Sequence, residues 1–122
     1  MAGDSPQRLR FGRNARIKQG RDFSRVRRQG ERLAIGCLLA NWQRMPAQSH
    51  SRLGVVTSGK IGNAVIRNRA RRLLRESFRL HQRELVCPVD LVVVARASIV
   101  GKNFAVVEKD FMAMLRKAGL LK

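Results

Sequence analysis

The sequence predicts an α+β fold, an α/β sandwich with elements in the order α-β-β-(β)-α-β-α. Three observations carry that expectation. Residues 90–96, DLVVVAR, form a nearly continuous apolar run, as in a strand buried on both faces. Residues 64–83 and 103–118 each place their apolar side chains on one side of a helix. Between the helical segments lie strand-like stretches, which is the alternation of a layered α-and-β domain. At 122 residues and 44% apolar composition, the chain suits one domain with a modest core.

Taken in order, residues 1–15 read as a basic arm without periodicity, and residues 16–122 as a single domain. Residues 20–29, GRDFSRVRRQ, suit a short helix that Gly30 stops, with Phe23 and Arg27 neighbours at i and i+4. Residues 32–43, RLAIGCLLANWQ, are strand-like, and 44–51 read as a loop. Residues 52–58, RLGVVTS, form a second strand with a glycine inside it, and 59–63, GKIGN, break the pattern. Asn63 is placed to cap the helix over 64–83. Pro88 closes the following link, the buried strand comes next, and the last helix aligns Phe104, Val107, Phe111, Met114 and Leu115.

Charge points to the partner. Lys and Arg number 26 against 8 acids, a net charge of +18. A protein without a large anionic partner seldom carries that much self-repulsion. The charge is clustered: residues 1–32 and 60–83 are each net +7, whereas 33–59 and 84–122 are each net +2. Arginine outnumbers lysine 20 to 6, and its planar fork matches phosphate bidentately and stacks on bases. A GC-rich genome could produce that ratio, but not the total or the clustering.

The middle helix concentrates the argument. At about 100° per residue, Ile66, Ala70, Leu73, Leu74, Ser77 and Phe78 share one face. Arg71, Arg72, Arg75 and Arg79 share the opposite face, and Arg67 and Arg69 flank the apolar side in the first turn. An ordinary solvated face mixes signs for i,i+4 support. Here Arg71, Arg75 and Arg79 are successive like charges, each pair costing a few tenths of a kcal/mol in an isolated helix. A polyanion offsets that cost. Arg67, Asn68 and Arg69 also stand where backbone amides and the helix dipole favour phosphate.

Other chemistries find little support. The acids Asp4, Asp22, Glu31, Glu76, Glu84, Asp90, Glu108 and Asp110 are scattered, so no carboxylate cluster of a two-metal nuclease is expected. Neither a catalytic residue nor a metal ligand is assigned to the protein. Cys37 and Cys87 are expected to be buried reduced thiols; His50 and His81 lie far from both and from each other. Of six aromatics, Phe11, Phe23 and Trp42 are candidates for stacking, while Phe78, Phe104 and Phe111 fall on apolar helix faces. The first residues lack an apolar signal region and no 18-residue apolar stretch exists, so a cytoplasmic protein is expected.

The run SRLGVVTSGKIGNAVIRNRARRLLRESFR, residues 51–79, closely resembles the signature region of the bacterial ribonuclease P protein component. The family pattern K-x-G-x-A-V-x-R-N-R-x-[KR]-R-x-x-R-E is met here by Lys60, Gly62, Ala64, Val65, Arg67, Asn68, Arg69, Arg71, Arg72, Arg75 and Glu76. RDFSRVRRQG upstream, and DLVVVAR with the last helix downstream, resemble the flanking elements, so the likeness spans roughly residues 16–118. The resemblance implies the fold of the second domain of ribosomal protein S5, with a left-handed βαβ crossover against the usual rule. It implies a subunit of a ribonucleoprotein endonuclease that removes the 5′ leader of precursor tRNA, catalysis and Mg2+ belonging to the RNA subunit. The partners implied are ribonuclease P RNA, with one protein per RNA, and precursor tRNA including its leader. RNA-binding positions carried over are Lys60, Arg67, Asn68, Arg69, Arg71, Arg72, Arg75 and, at the end of the basic face, Arg79. Phe23 matches the first aromatic of the leader cleft. The chain departs at two places: Arg27 replaces a second aromatic, and Asn41 or, one residue off, Trp42 stands at the aromatic position on the sheet. Both departures imply weaker stacking and stronger electrostatic holding.

Two other readings remain open at this point. Gly59-Lys60-Ile61-Gly62 is a GxxG string before a helix, as in a KH module, although there the loop joins two helices. A ribosomal protein would share the small size and the charge.

Overall fold

The computed structural model describes residues 15–122. All of the basic arm except Ala15 therefore lies outside the described residues, Phe11 included. Three helices and a four-stranded sheet follow in order: α1 (Gly20–Gln29), β1 (Glu31–Ile35), β2 (Leu38–Arg44), β3 (Arg52–Val56), α2 (Ala64–His81), β4 (Val89–Ala95) and α3 (Phe104–Lys117). The sheet order is β1-β2-β4-β3, with β1, β2 and β4 antiparallel in turn and β3 parallel to β4. The α+β architecture and element order are those expected.

The stretch 32–43 divides into the hairpin of β1 and β2 at Gly36, whose φ of 54° is left-handed and open to glycine. The Cys37 N–H there donates to Asp110 Oδ2 at 2.9 Å, tying the hairpin to α3. Burial, reinforced by Asp110, pushes the Cys37 thiol up to about 12, so it stays protonated. Cys87 is half-buried and also free. Strand β3 ends two residues earlier than expected, and residues 59–61 make a single 3-10 turn before Asn63. Asn63 Oδ1 accepts from the Ile66 N–H at 3.1 Å, the expected cap of α2. Helix α2 stops at His81, and residues 82–84 tighten into a 3-10 turn.

Strand alternation builds two apolar layers. Leu38, Ala40 and Trp42 of β2, Leu53 of β3, and Leu91, Val93 and Ala95 of β4 join the main core under α2 and α3. Leu74 and Phe78 of α2 and Val107, Phe111, Met114 and Leu115 of α3 fill it. Phe104 is only half-buried. On the other face, Val92 packs with Val26 of α1 and Ile17, with Phe23 and Val56 against them. From Val89 to Val93 no residue of β4 is more than 1% exposed, the double-sided burial that its apolar run predicts. The outer side of β3 is also paired: Arg16 bridges Leu53, and the Ile17 N–H donates to the Leu53 carbonyl at 3.0 Å.

Candidate nucleic-acid interface

Helix α2 buries Ala70, Leu74, Ser77 and Phe78 and turns its arginines outward, as the periodicity predicts. Asn68, Arg71, Arg72, Arg75, Glu76 and Arg79 line an open depression along its outer side. Arg16 completes that lining. The strand-like pairing of Arg16 with Leu53 places it beside α2, a contribution from the first residue of the domain that no helical pattern could reveal. Cations crowd here: burial first, then Arg16 and Arg71, hold the Arg75 pKa below the ordinary arginine value. A polyanion would relieve that repulsion.

The remaining motif residues diverge in their roles. Arg71 donates to Asn68 Oδ1 at 2.8 Å, which fixes its guanidinium over the first turn. Arg79 pairs with Glu76, Nε to Oε1 at 2.9 Å, so part of its charge is answered within the helix. Arg67 turns back and donates to the Gly62 carbonyl at 2.9 Å, bracing the loop that enters α2. Arg69 is exposed away from the depression, and Lys60 is exposed on the 3-10 turn that leads to the cap.

A second surface lies on the opposite face of the sheet, beside α1. Alternation puts Asn41, Val92, Gly54, Val56 and Val94 on this face, in the register Asn41 to Val92 to Gly54 and Val94 to Val56. The half-buried Phe23 ring lies against Gly54. A Cβ at Gly54 would fall 2.6 Å from Phe23 Cε1, so the ring needs a bare backbone beneath it. Arg27, one turn on, is exposed on the same flank of α1. Asn41 is 4% exposed on the α1 side. Trp42 must be corrected: it points into the main core under α2 and α3 and cannot share a cleft with Phe23. Neighbouring strand residues face opposite ways, so only one of the pair could stand on this side.

Five of the described carboxylates are already paired with basic side chains. Asp22 and Asp90 pair with Arg25 and Arg52, Glu76 with Arg79, and Glu84 and Glu108 with the two ring nitrogens of His81. Among the described residues, no group of three or more His, Cys, Asp or Glu is arranged to hold a metal ion. Among them too, no helix is long and apolar enough to cross a membrane.

Comparison with known proteins converges on one family. The family model for ribonuclease P matches residues 11–119. The ribonuclease P protein component of Syntrophomonas wolfei is 41% identical over 108 residues, covering 88% of this chain and 90% of the relative. That of Oceanobacillus iheyensis is 36% identical, covering 88% of each. Among solved structures, the Staphylococcus aureus RNase P protein superposes with a TM-score of 0.81 at 29% identity, covering 88% of this chain and 98% of that one. The Thermotoga maritima RNase P protein gives 0.75 at 26% identity, covering 84% and 96%.

Proposed function

The chain belongs to the bacterial ribonuclease P protein family, and from that premise we propose that its two surfaces divide the RNA between them. The chain is thus the protein component of a ribonucleoprotein endoribonuclease of tRNA processing, and its partner is the ribonuclease P RNA. In the proposal, the arginine depression on α2 seats the catalytic RNA. The surface beside α1, between Phe23 and the sheet, serves as the trough that holds the single-stranded 5′ leader of precursor tRNA. One protein serves one RNA, in the cytoplasm.

The observation that carries this reading is the pairing of one arginine surface with one aromatic-and-apolar surface on opposite faces of a thin sheet. The first suits a phosphate backbone. The second suits unpaired bases, because Phe23 offers a ring above a floor that includes Val56, with Arg27 alongside. Asn68, Arg71, Arg72, Arg75 and Arg16 form the RNA contact, Lys60, Arg67 and Arg69 extend it around the N-terminus of α2, and Arg79 closes it. In the trough, Phe23 stacks, Arg27 holds phosphate and Asn41 lies beneath. In this reading the Mg2+ of the reaction sits mainly with the RNA subunit. The KH reading loses ground because Gly59 and Gly62 follow strand β3 rather than a helix.

The test is precursor-tRNA cleavage at low Mg2+ by a bacterial ribonuclease P RNA, with and without this protein. Cleavage at the mature 5′ end that needs both components is expected. No effect with two different RNAs, despite tight RNA binding, would return the ribosomal or KH-like readings. Phe23→Ala should weaken holoenzyme binding to leader-bearing precursor and leave mature tRNA unaffected; equal loss for both would refute the trough.

A further inference from the structure

Neither surface uses Asp90, the one carboxylate among the described residues with no exposure at all. It stands on β4 with its side chain toward α1. Its Oδ1 accepts from Arg52 Nε at 2.9 Å and from Gln48 Nε2 at 3.1 Å. Its Oδ2 accepts from the other end of the Arg52 fork at 2.6 Å and from Arg25. Asp22 closes the ring, 3.5 Å from Arg25 and 3.7 Å from Arg52. Five side chains from α1, β3, β4 and the β2–β3 loop thus meet in one network.

A buried ion network is a costly way to obtain stability, since well-packed apolar residues often do as well. What it adds here is direction. On α1, Asp22 and Arg25 occupy one flank, Val26 points to the sheet, and Phe23 and Arg27 occupy the other flank. Holding the Arg25 flank against Asp90 fixes the roll of α1 about its axis. That roll decides where the Phe23 ring rests, and the ring has no slack, lying hard against Gly54. An apolar contact such as Val26 on Val92 resists separation but tolerates rotation; the Arg25–Asp90 ion pair does not, because its acceptor is itself locked to the sheet by the bidentate Arg52 fork.

We propose that Asp90 is a positioning residue for the trough, acting through Arg25 and Arg52 to set the roll of α1 and so the stance of Phe23. The proposal rests on the leader reading above and can fail separately from it. Reconstituted holoenzyme carrying Asp90→Asn, Arg25→Met or Phe23→Ala is compared in affinity for leader-bearing precursor and for mature tRNA. Asp90→Asn raises the net charge of +18 by one and Arg25→Met lowers it by one. Positioning predicts that both nevertheless weaken leader binding about five- to tenfold, the lower part of the stacking range, with mature tRNA unchanged. In a Phe23→Ala background, Asp90→Asn should add nothing further. Shifts of opposite sign would mean simple electrostatics and overturn the proposal. So would equal loss for both RNAs, or no loss from either variant while Phe23→Ala shows one. If Phe23→Ala itself has no leader effect, the leader reading fails and the proposal falls with it. Should Asp90→Asn not fold, Arg25→Met decides alone, because it leaves the Arg52–Asp90 pair intact.

Discussion

Replacing Arg71, Arg72 and Arg75 together by alanine should separate binding from stability, because the structure gives the two effects opposite signs. All three line the depression on α2, and Arg16 and Arg71 both act on Arg75 as like charges. Removing them relieves repulsion worth about 0.2–0.5 kcal/mol per i,i+4 pair and installs the strongest helix former. The melting temperature should hold or rise. Affinity for the catalytic RNA should fall and lose salt dependence, the slope of log K against log salt dropping by about 2–3 if each arginine neutralises one phosphate. Between about 50 and 200 mM salt, the intact protein should then lose roughly 20- to 40-fold more affinity than the variant, following the same slope. Fluorescence anisotropy across that range, with thermal melts of the free proteins, measures both quantities. An unchanged slope would refute the claim that this face meets RNA. A large fall in melting temperature would refute the claim that it is free of structural duty.

Other outcomes follow from single sites. Burial lowers the His81 pKa, but its bonds to Glu108 and Glu84 outweigh this and raise it above the usual value. The folded state therefore holds the proton more tightly than the unfolded one, and the stabilisation is complete below about pH 6.5. It is lost as pH rises through the folded value, so the melting temperature should decline across neutrality while His81→Gln shows a flatter profile. Burial alone would raise the Asp90 pKa, yet Arg52, Gln48 and Arg25 together lower it, so its contribution should vanish only as acid titration passes below the ordinary aspartate value. Gly54→Ala would bring a Cβ to 2.6 Å from Phe23 and should cost about 1–3 kcal/mol in urea unfolding; an unperturbed midpoint would show that the ring moves aside freely. Phe78→Ala, at a 1% exposed site in the main core, should cost about 3–5 kcal/mol in the same assay.

The sequence was most informative where periodicity is long. The eighteen residues of α2 reveal their buried and basic sides because i,i+3 and i,i+4 neighbours repeat over several turns. The β4 run is equally plain, since burial on both faces leaves little room for polar residues. The β1–β2 hairpin was hidden because Gly36 and Cys37 form a turn too short to interrupt the apolar pattern. Asn41 and Trp42 were indistinguishable until a register assigned them to opposite faces. Arg16 and Asp90 illustrate the harder limit. One is placed by its bridge to Leu53, the other by partners in three distant elements, and neither leaves a local mark in the chain.

The position of β4 between β2 and β3 also governs when this molecule can exist. The two strands that precede it are consecutive in the chain yet never pair with each other; both wait for residues 89–95. A growing chain on the ribosome can close the β1–β2 hairpin and wind α2, but the four-stranded sheet that unites the surfaces under α1 and α2 is not complete until β4 arrives. By then 20 of the 26 basic residues have already been synthesised. Such non-local assembly is slow and cooperative, so folding is a late, single event that converts a basic polymer with indiscriminate affinity for RNA into one with two separate surfaces.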